Sequence, residues 1–216
     1  MKKLIFWIVL IVGTVVLLGS CAKKDETTAA AAAAVTFTST TTAAGSITVG
    51  SETMSGTYVS PCNSEALIAT TASAGNLPSD TVAMRDVLVV TSDTSISEET
   101  HGYTDTTCST RSYYSMDVNT SFSVGVASGD NYKVTYTETG FNAMVDSTDA
   151  ESWWETLLTS SIGSTVDLTV GTEYFNNGSL KNELNLFHVT STTVQIGDDD
   201  NETYPTAMDS QVMTKQ

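Results

Sequence analysis

A hydrophobic alternation of period two constrains this chain more than any other feature. Tyr132, Val134 and Tyr136 alternate with Lys133, Thr135 and Thr137. In an extended strand that spacing puts every second side chain on one face and leaves the other face polar. Phe122, Val124 and Val126 repeat the pattern, as do Val166, Leu168 and Val170. Further apolar or alternating runs fall at 81–91, 95–105, 184–189 and 193–196. Turn-forming clusters separate them: Ser128-Gly129-Asp130-Asn131, Asn176-Asn177-Gly178 and Gly197-Asp198-Asp199-Asp200. Many short strands with polar turns predict an antiparallel all-β domain over 46–216, built as a barrel or as a two-sheet sandwich, since both use the same alternation.

One segment departs from that period. From Thr148 to about Ser160 the apolar residues Trp153, Trp154, Leu157, Leu158 and then Ile162 recur at helical intervals, and Thr148 and Glu151 stand at capping-box spacing. A short inserted helix is expected here, packed over one end of the sheet. Its adjacent tryptophans are also candidates to line a ligand mouth.

The first residues give an address. Met1-Lys2-Lys3 is a positive start, and Leu4 to Leu18 is apolar apart from Gly13 and Thr14. That run suits a signal-peptide core and falls short of the roughly 20 residues of a spanning helix. Leu18-Gly19-Ser20-Cys21 follows directly and reads as a lipobox: small residues admit a peptidase, Leu18 fills an apolar subsite, and the Cys21 thiol takes the diacylglycerol. Residues 1–20 are therefore expected to be a cleaved lipoprotein signal peptide. Cys21, carrying palmitate-type acyl chains, would anchor the mature chain without spanning the bilayer. Ala22, where an aspartate would favour retention at the inner membrane, directs the expectation to the outer membrane of a bacterial envelope. Residues 21–45 are rich in Ala and Thr, with the run Ala29–Ala34, and are expected to form a disordered tether.

Charge excludes one class of partner. The formal net charge is −16, and loss of Lys2 and Lys3 with the signal peptide makes it two units more negative. Beyond the tether the basic residues are Arg85, Arg111, Lys133, Lys181 and Lys215, too scattered to form the stripe that phosphate neutralisation needs. Nucleic acid is therefore not an expected partner. The acidic surface also disfavours close adsorption to anionic head groups, so the lipid should anchor the domain while the domain stands off.

With Cys21 acylated, Cys62 and Cys108 remain. In an oxidising compartment two thiols form a disulfide or stay as two free buried cysteines; the compartment favours the bridge. Four pieces of the domain carry a family resemblance. Ser55-Gly56-Thr57-Tyr58 with Pro61-Cys62, Tyr103-Thr104-Asp105-Thr106-Thr107-Cys108, Leu186-Phe187-His188-Val189 running into Val194-Gln195-Ile196-Gly197, and Tyr204-Pro205-Thr206-Ala207-Met208-Asp209 resemble the corresponding parts of small bacterial lipocalin-like lipoproteins. The resemblance implies an up-and-down β-barrel with the two cysteines bridged. It implies little about activity, because members of that kind mostly have none assigned.

Motifs for chemistry are sparse. There is no Gly-x-Ser-x-Gly elbow, His-Glu-x-x-His, P-loop or dinucleotide fingerprint. Of the two histidines, His101 stands among Glu98, Glu99 and Asp105 and is expected on a solvated face, and His188, between Phe187 and Val189, is expected as a satisfied sheet residue. Glu98 and Glu99 are neighbours on a strand and should point to opposite faces, which argues against their acting as a carboxylate pair. The acidic run at 198–202 offers Asp198, Asp200 and Glu202 as candidate oxygen ligands for a metal such as calcium, with a solvated turn as the plain alternative. No enzyme and no cofactor are expected. The expected function is a lipid-anchored envelope lipoprotein that binds a small apolar ligand through Tyr132, Tyr136, Trp153 and Trp154. The alternative is a structural or interaction protein displayed on the tether, its protein partners unspecified.

Overall fold

A computed structural model describes residues 39–177, 181–198 and 203–216; residues 1–20, expected as a signal peptide, Cys21, most of the segment expected as a tether, Asp200 and Glu202 lie outside the described residues. The strands in chain order are β1 (Ile47–Val49), β2 (Glu52–Met54), β3 (Thr57–Val59), β4 (Ala83–Ser92), β5 (Ser95–Tyr103), β6 (Arg111–Ser128), β7 (Asn131–Val145), β8 (Glu173–Asn176), β9 (Lys181–Val189), β10 (Thr193–Ile196) and β11 (Met213–Lys215). Helix α1 (Ala66–Ser73) follows β3, and α2 (Thr148–Ile162) follows β7.

Each wall strand pairs antiparallel with its neighbours in the order β3-β4-β5-β6-β7-β9-β10-β11, and β11 returns to β3. The wall is thus a closed, eight-stranded up-and-down barrel, so that each wall strand has a partner on both sides. β8 pairs with β7 over Phe141–Met144, past the stretch that β7 shares with β9. The β6–β7 turn expected at 128–131 is present, with Gly129 at φ +65°, the left-handed region that glycine enters without steric cost.

Alternation builds the core as expected. Leu88, Val90, Ile96, Phe122, Val134, Tyr136, Phe187 and Val194 gather on the inner face towards one end of the barrel. The β1–β2 hairpin, a separate two-stranded sheet, inserts Ile47, Val49 and Met54 into the same cluster. At the opposite end Tyr113 and Val145 pack with Ala150, Trp154, Leu157 and Leu158 of α2. Met84 meets Ile68, Ala72 and Leu77 around α1. Both ends of the barrel are therefore packed with elements drawn from the connections.

The cysteines are bridged: Cys62 and Cys108 form a disulfide across a separation of 46 residues. Its corner is organised by Asp105, whose carboxylate accepts from the backbone N–H groups of Thr107 (2.9 Å) and Thr110 (2.6 Å) and from the Thr107 hydroxyl. Those bonds, the Thr107 hydroxyl first, hold the Asp105 carboxyl well below the ordinary range.

Four details depart from expectation. Residues 166–170 form no strand. Val166 and Leu168 alternate because they pack on α2, and their N–H groups go to Thr159 Oγ1 and Glu155 Oε1, both at 2.9 Å, instead of to a ladder. The α2 cap is Ser147, whose hydroxyl accepts from the Ala150 N–H at 3.1 Å, so the cap stands one residue before the expected Thr148, and Ala150 takes the position where a capping box needs Glu or Gln. Val126 is 71% exposed, because β6 beyond Asn119 has left β5 and its register with β7 shifts twice between Thr120 and Ala127. Finally, α1 is a second helix beside the single one expected. Its weak apolar face is only Ile68, Thr71 and Ala72, while the Thr70, Thr71 and Ser73 hydroxyls bond back to carbonyls four residues earlier.

Candidate ligand site in the barrel interior

Pairing register settles which side chains face inward. Asp86 shares the face of Leu88 and Val90, and Glu98 that of Ile96. Across β6 the same face carries Ser115, Asp117 and Asn119, and across β7 and β9 it carries Tyr136, Glu138, Glu183 and Asn185. The interior therefore has two zones: an apolar end roofed by the β1–β2 hairpin, and a polar belt beneath it.

Tyr132 and Tyr136 belong to the apolar end. Phe122 stacks on Tyr136 at 5.9 Å between ring centroids and meets Phe187 edge-on at 5.4 Å. Tyr132 is only partly buried and lies under the turn of the hairpin. Gly50, at φ +64°, comes so close to that ring that a Cβ there would stand 2.2 Å from its hydroxyl-bearing carbon. Glycine is required at this position both for its backbone angle and for the close approach.

Tyr136 also joins the two zones. Its hydroxyl accepts from Asn185 Nδ2 at 3.3 Å and donates to Glu98 at 3.4 Å, and Glu98 accepts from Asn119 Nδ2 at 3.1 Å. Lys181 pairs with Glu183 across Nζ···Oε1 2.5 Å. Asp117 lies beside Glu138 and Glu183. Burial first, and then repulsion from those two carboxylates, pushes its carboxyl up to about 7 against the opposing pull of Lys181. Burial likewise pushes Asp86 up to about 6, with Thr100 donating a hydrogen bond at 3.2 Å that works the other way. The belt thus holds carboxyl groups that ionise at higher pH than ordinary carboxyls.

Trp153 and Trp154 stand elsewhere. They meet edge-on at 5.1 Å in the α2 cluster, where Trp154 packs on Tyr113 and Phe141, and Trp153 Nε1 donates to the Gly75 carbonyl at 2.9 Å. The four expected aromatic residues are split between opposite ends of the barrel and line no common mouth.

The expectation for His101 is corrected. Its residue is 1% exposed, and Nε2 stands 2.7 Å from Glu99 Oε2, so the pair lies within the outer face of the wall. Tyr114 stacks on its ring at 5.6 Å between centroids, and Tyr103 at 6.5 Å. Residues 39–45, placed on the tether by composition, cover this face: Ser39 Oγ donates to Glu99 Oε1 at 2.8 Å and the Ala44 N–H to the Val90 carbonyl at 2.9 Å. Burial opposes ionisation of Glu99. The bonds from His101, Thr41 and Ser39 outweigh it and hold the carboxyl below its ordinary value. The Ser39 hydroxyl meets the carboxylate and not the imidazole, so these contacts do not form a nucleophile–base pair. An i, i+2 series of Glu99, His101 and Tyr103 was visible in the sequence as a strand face. Nothing in it showed that the chain's own N-terminal segment would cover that face.

Glu98 and Glu99 do point to opposite sides, one into the barrel and one outward. His188 is satisfied, its Nδ1 donating to the Asp130 carbonyl at 3.1 Å. Asp198 is exposed after the Gly197–Met208 bridge. Because Asp200 and Glu202 lie outside the described residues, the proposed ligand set cannot be assembled from them; among the described residues no group of three potential ligands converges. A cavity of about 310 Å³ opens beside the β6 irregularity, lined by Ser121, Thr135, Tyr136, Thr137, Asn182 and Leu184. Thr135 and Thr137 alternate with the inward residues of β7, so this cavity opens on the outer wall and not in the apolar end. Among the described residues no helix is long and apolar enough to cross a membrane. Compared with protein-family models and with curated proteins, the chain matches none of them.

Proposed function

We propose that the protein is a lipid-anchored lipoprotein of the bacterial envelope, tethered through Cys21, whose barrel binds a small apolar ligand at the hairpin-roofed end. The observation that carries this reading is the composition of that end: Phe122, Tyr132, Val134 and Phe187 gather on the inner wall, and Tyr132 is still partly open. Concave apolar surfaces with one or two placed polar groups are the usual form of small-molecule sites, and barrel mouths are a common place for them. Tyr136 supplies the polar group.

A second reading is favoured by a different observation. Ile47, Val49 and Met54 fill the same end from within, as in a packed scaffold that displays its outer surface to a partner in the envelope. Native mass spectrometry of the protein purified from an oxidising compartment separates the two. A reproducible extra mass that leaves on denaturation is expected for the binding protein. A bare chain, short only of the hydrogens lost to the Cys62–Cys108 bridge, would move the assignment to the displayed scaffold.

A further inference from the structure

We propose that the cavity beside the β6 irregularity is a binding site, on the outer wall, for one neutral saccharide unit. It lies apart from the barrel interior and stands whether or not a ligand occupies the hairpin-roofed end.

Three observations carry it. First, the backbone is strained where the cavity opens. Ser121 stands at φ +57°, in the left-handed region that residues with side chains rarely adopt, and the register of β6 against β7 shifts between Thr120 and Ser123. Strain of this kind collects where a side chain is re-aimed for binding, and here it sets an exposed Ser121 in the lining. Second, the lining is polar and uncharged. Of its six residues, Ser121, Thr135 and Thr137 carry hydroxyls and Asn182 a primary amide, while Leu184 supplies an aliphatic side chain. Tyr136 turns its ring inward onto Phe122. Third, the polar groups are held in place by the ladder. Thr135 stands opposite Leu184 and Thr137 opposite Asn182 on the paired strands β7 and β9, and Thr137 Oγ1 donates to Asn182 Oδ1 at 3.0 Å. That bond engages the amide carbonyl and leaves the amide N–H groups as donors. The Ser121 and Thr135 hydroxyls can each donate one bond and accept two.

These features select the ligand. An anion would need a cation in the lining, and none of the six residues carries one. A divalent metal would need carboxylate oxygens, which the same six residues do not supply. An alkyl chain would leave the hydroxyls against it unpaired. A pyranose ring presents both hydroxyl and C–H surface: its hydroxyls exchange bonds with Ser121, Thr135 and Asn182, and its C–H face lies on Leu184. About 310 Å³ is at the small end for a ligand site, which suits one ring of a longer glycan with its neighbours in solvent.

Amide chemical shifts of the isotope-labelled full chain, in a non-glycosidic detergent, test this with cellobiose, maltose and N,N′-diacetylchitobiose as probes and glucuronate as the charged control. Saturable shifts at Ser121, Thr135, Thr137, Asn182 and Leu184 are expected from at least one of the three neutral sugars, with a dissociation constant of about 1 mM and a weaker response to glucuronate. No saturable shift there from any of the three would overturn the site. An equal response to glucuronate would overturn its selection of a neutral ligand. Thr135→Val removes a hydroxyl at little change of shape and is expected to weaken binding about tenfold, the loss of one hydrogen bond; undiminished affinity would overturn that contact. Ser121→Gly separates binding from folding, because glycine enters the left-handed region without steric cost. It is expected to raise the urea midpoint while weakening the sugar about tenfold. A raised midpoint with unchanged affinity would overturn the part given to Ser121.

Discussion

Single residues decide how this barrel responds to pH. Asp117 faces inward beside Glu138 and Glu183, and its carboxyl is raised to about 7. The folded protein therefore keeps a proton that the unfolded chain releases near pH 4. The associated stability is complete below that point and is lost as pH rises through about 7. Replacing Asp117 with Asn should make the domain more stable at pH 8, by on the order of 2 kcal/mol once solvent reaching this partly buried group is allowed for, with little change at pH 4. Urea unfolding of both forms across that range checks the sign: a parent whose stability is flat from pH 4 to 8 would contradict the argument. His101 shows the other side of residue-scale reasoning. Its neighbours in sequence are Thr100 and Gly102, and neither indicates burial. The Ser39 and Thr41 contacts to the same outer face, more than fifty positions away in the chain, help to bury the Glu99–His101 pair.

At the scale of elements, hold and freedom are unevenly distributed. α2 is fixed at its start by Ser147 and at its end by Gly163, whose N–H reaches the Thr159 carbonyl with φ +78°. Ser147→Ala should cost about 1 kcal/mol, read as a lower urea midpoint with unchanged slope; an unchanged midpoint would mean that the Trp154, Leu157 and Leu158 packing alone holds the helix start. The β1–β2 hairpin is held differently, by three buried side chains and a tight Gly50–Tyr132 contact. An isolated two-stranded hairpin is marginal in water, so its stability is borrowed from the barrel it fills. The extended stretch at 166–168 belongs to α2 in the same sense: its strand-like alternation has no strand partner, and its N–H groups are capped by helix side chains.

For the whole molecule, closure and cross-linking set the stability. The Cys62–Cys108 bridge ties the segment after β3 to the β5–β6 corner. Closing a loop of that separation contributes roughly 4 kcal/mol in the chain-entropy treatment. Reduction, or replacement of both cysteines by Ser, should lower the unfolding midpoint accordingly while the barrel remains folded at room temperature; loss of less than about 1 kcal/mol would show that the unfolded chain is already compact there. Local pattern determined much of this protein by itself. Alternating or apolar runs placed β10 to the residue and β4, β5 and β9 to within a few residues, the glycine turn placed the β6–β7 hairpin, and helical spacing placed α2, because each of these signals is carried by residues adjacent in the chain. Tertiary structure alone decided the rest. Barrel and sandwich share one alternation, and only the return of β11 to β3 and the pairing of β6 with β7 distinguish them. The same closure divided the four aromatic residues between two ends, buried His101, and brought Asp86, Glu98, Asp117 and Glu183 into one interior. Those outcomes depend on which faces meet across long separations, and no local run of residues encodes that.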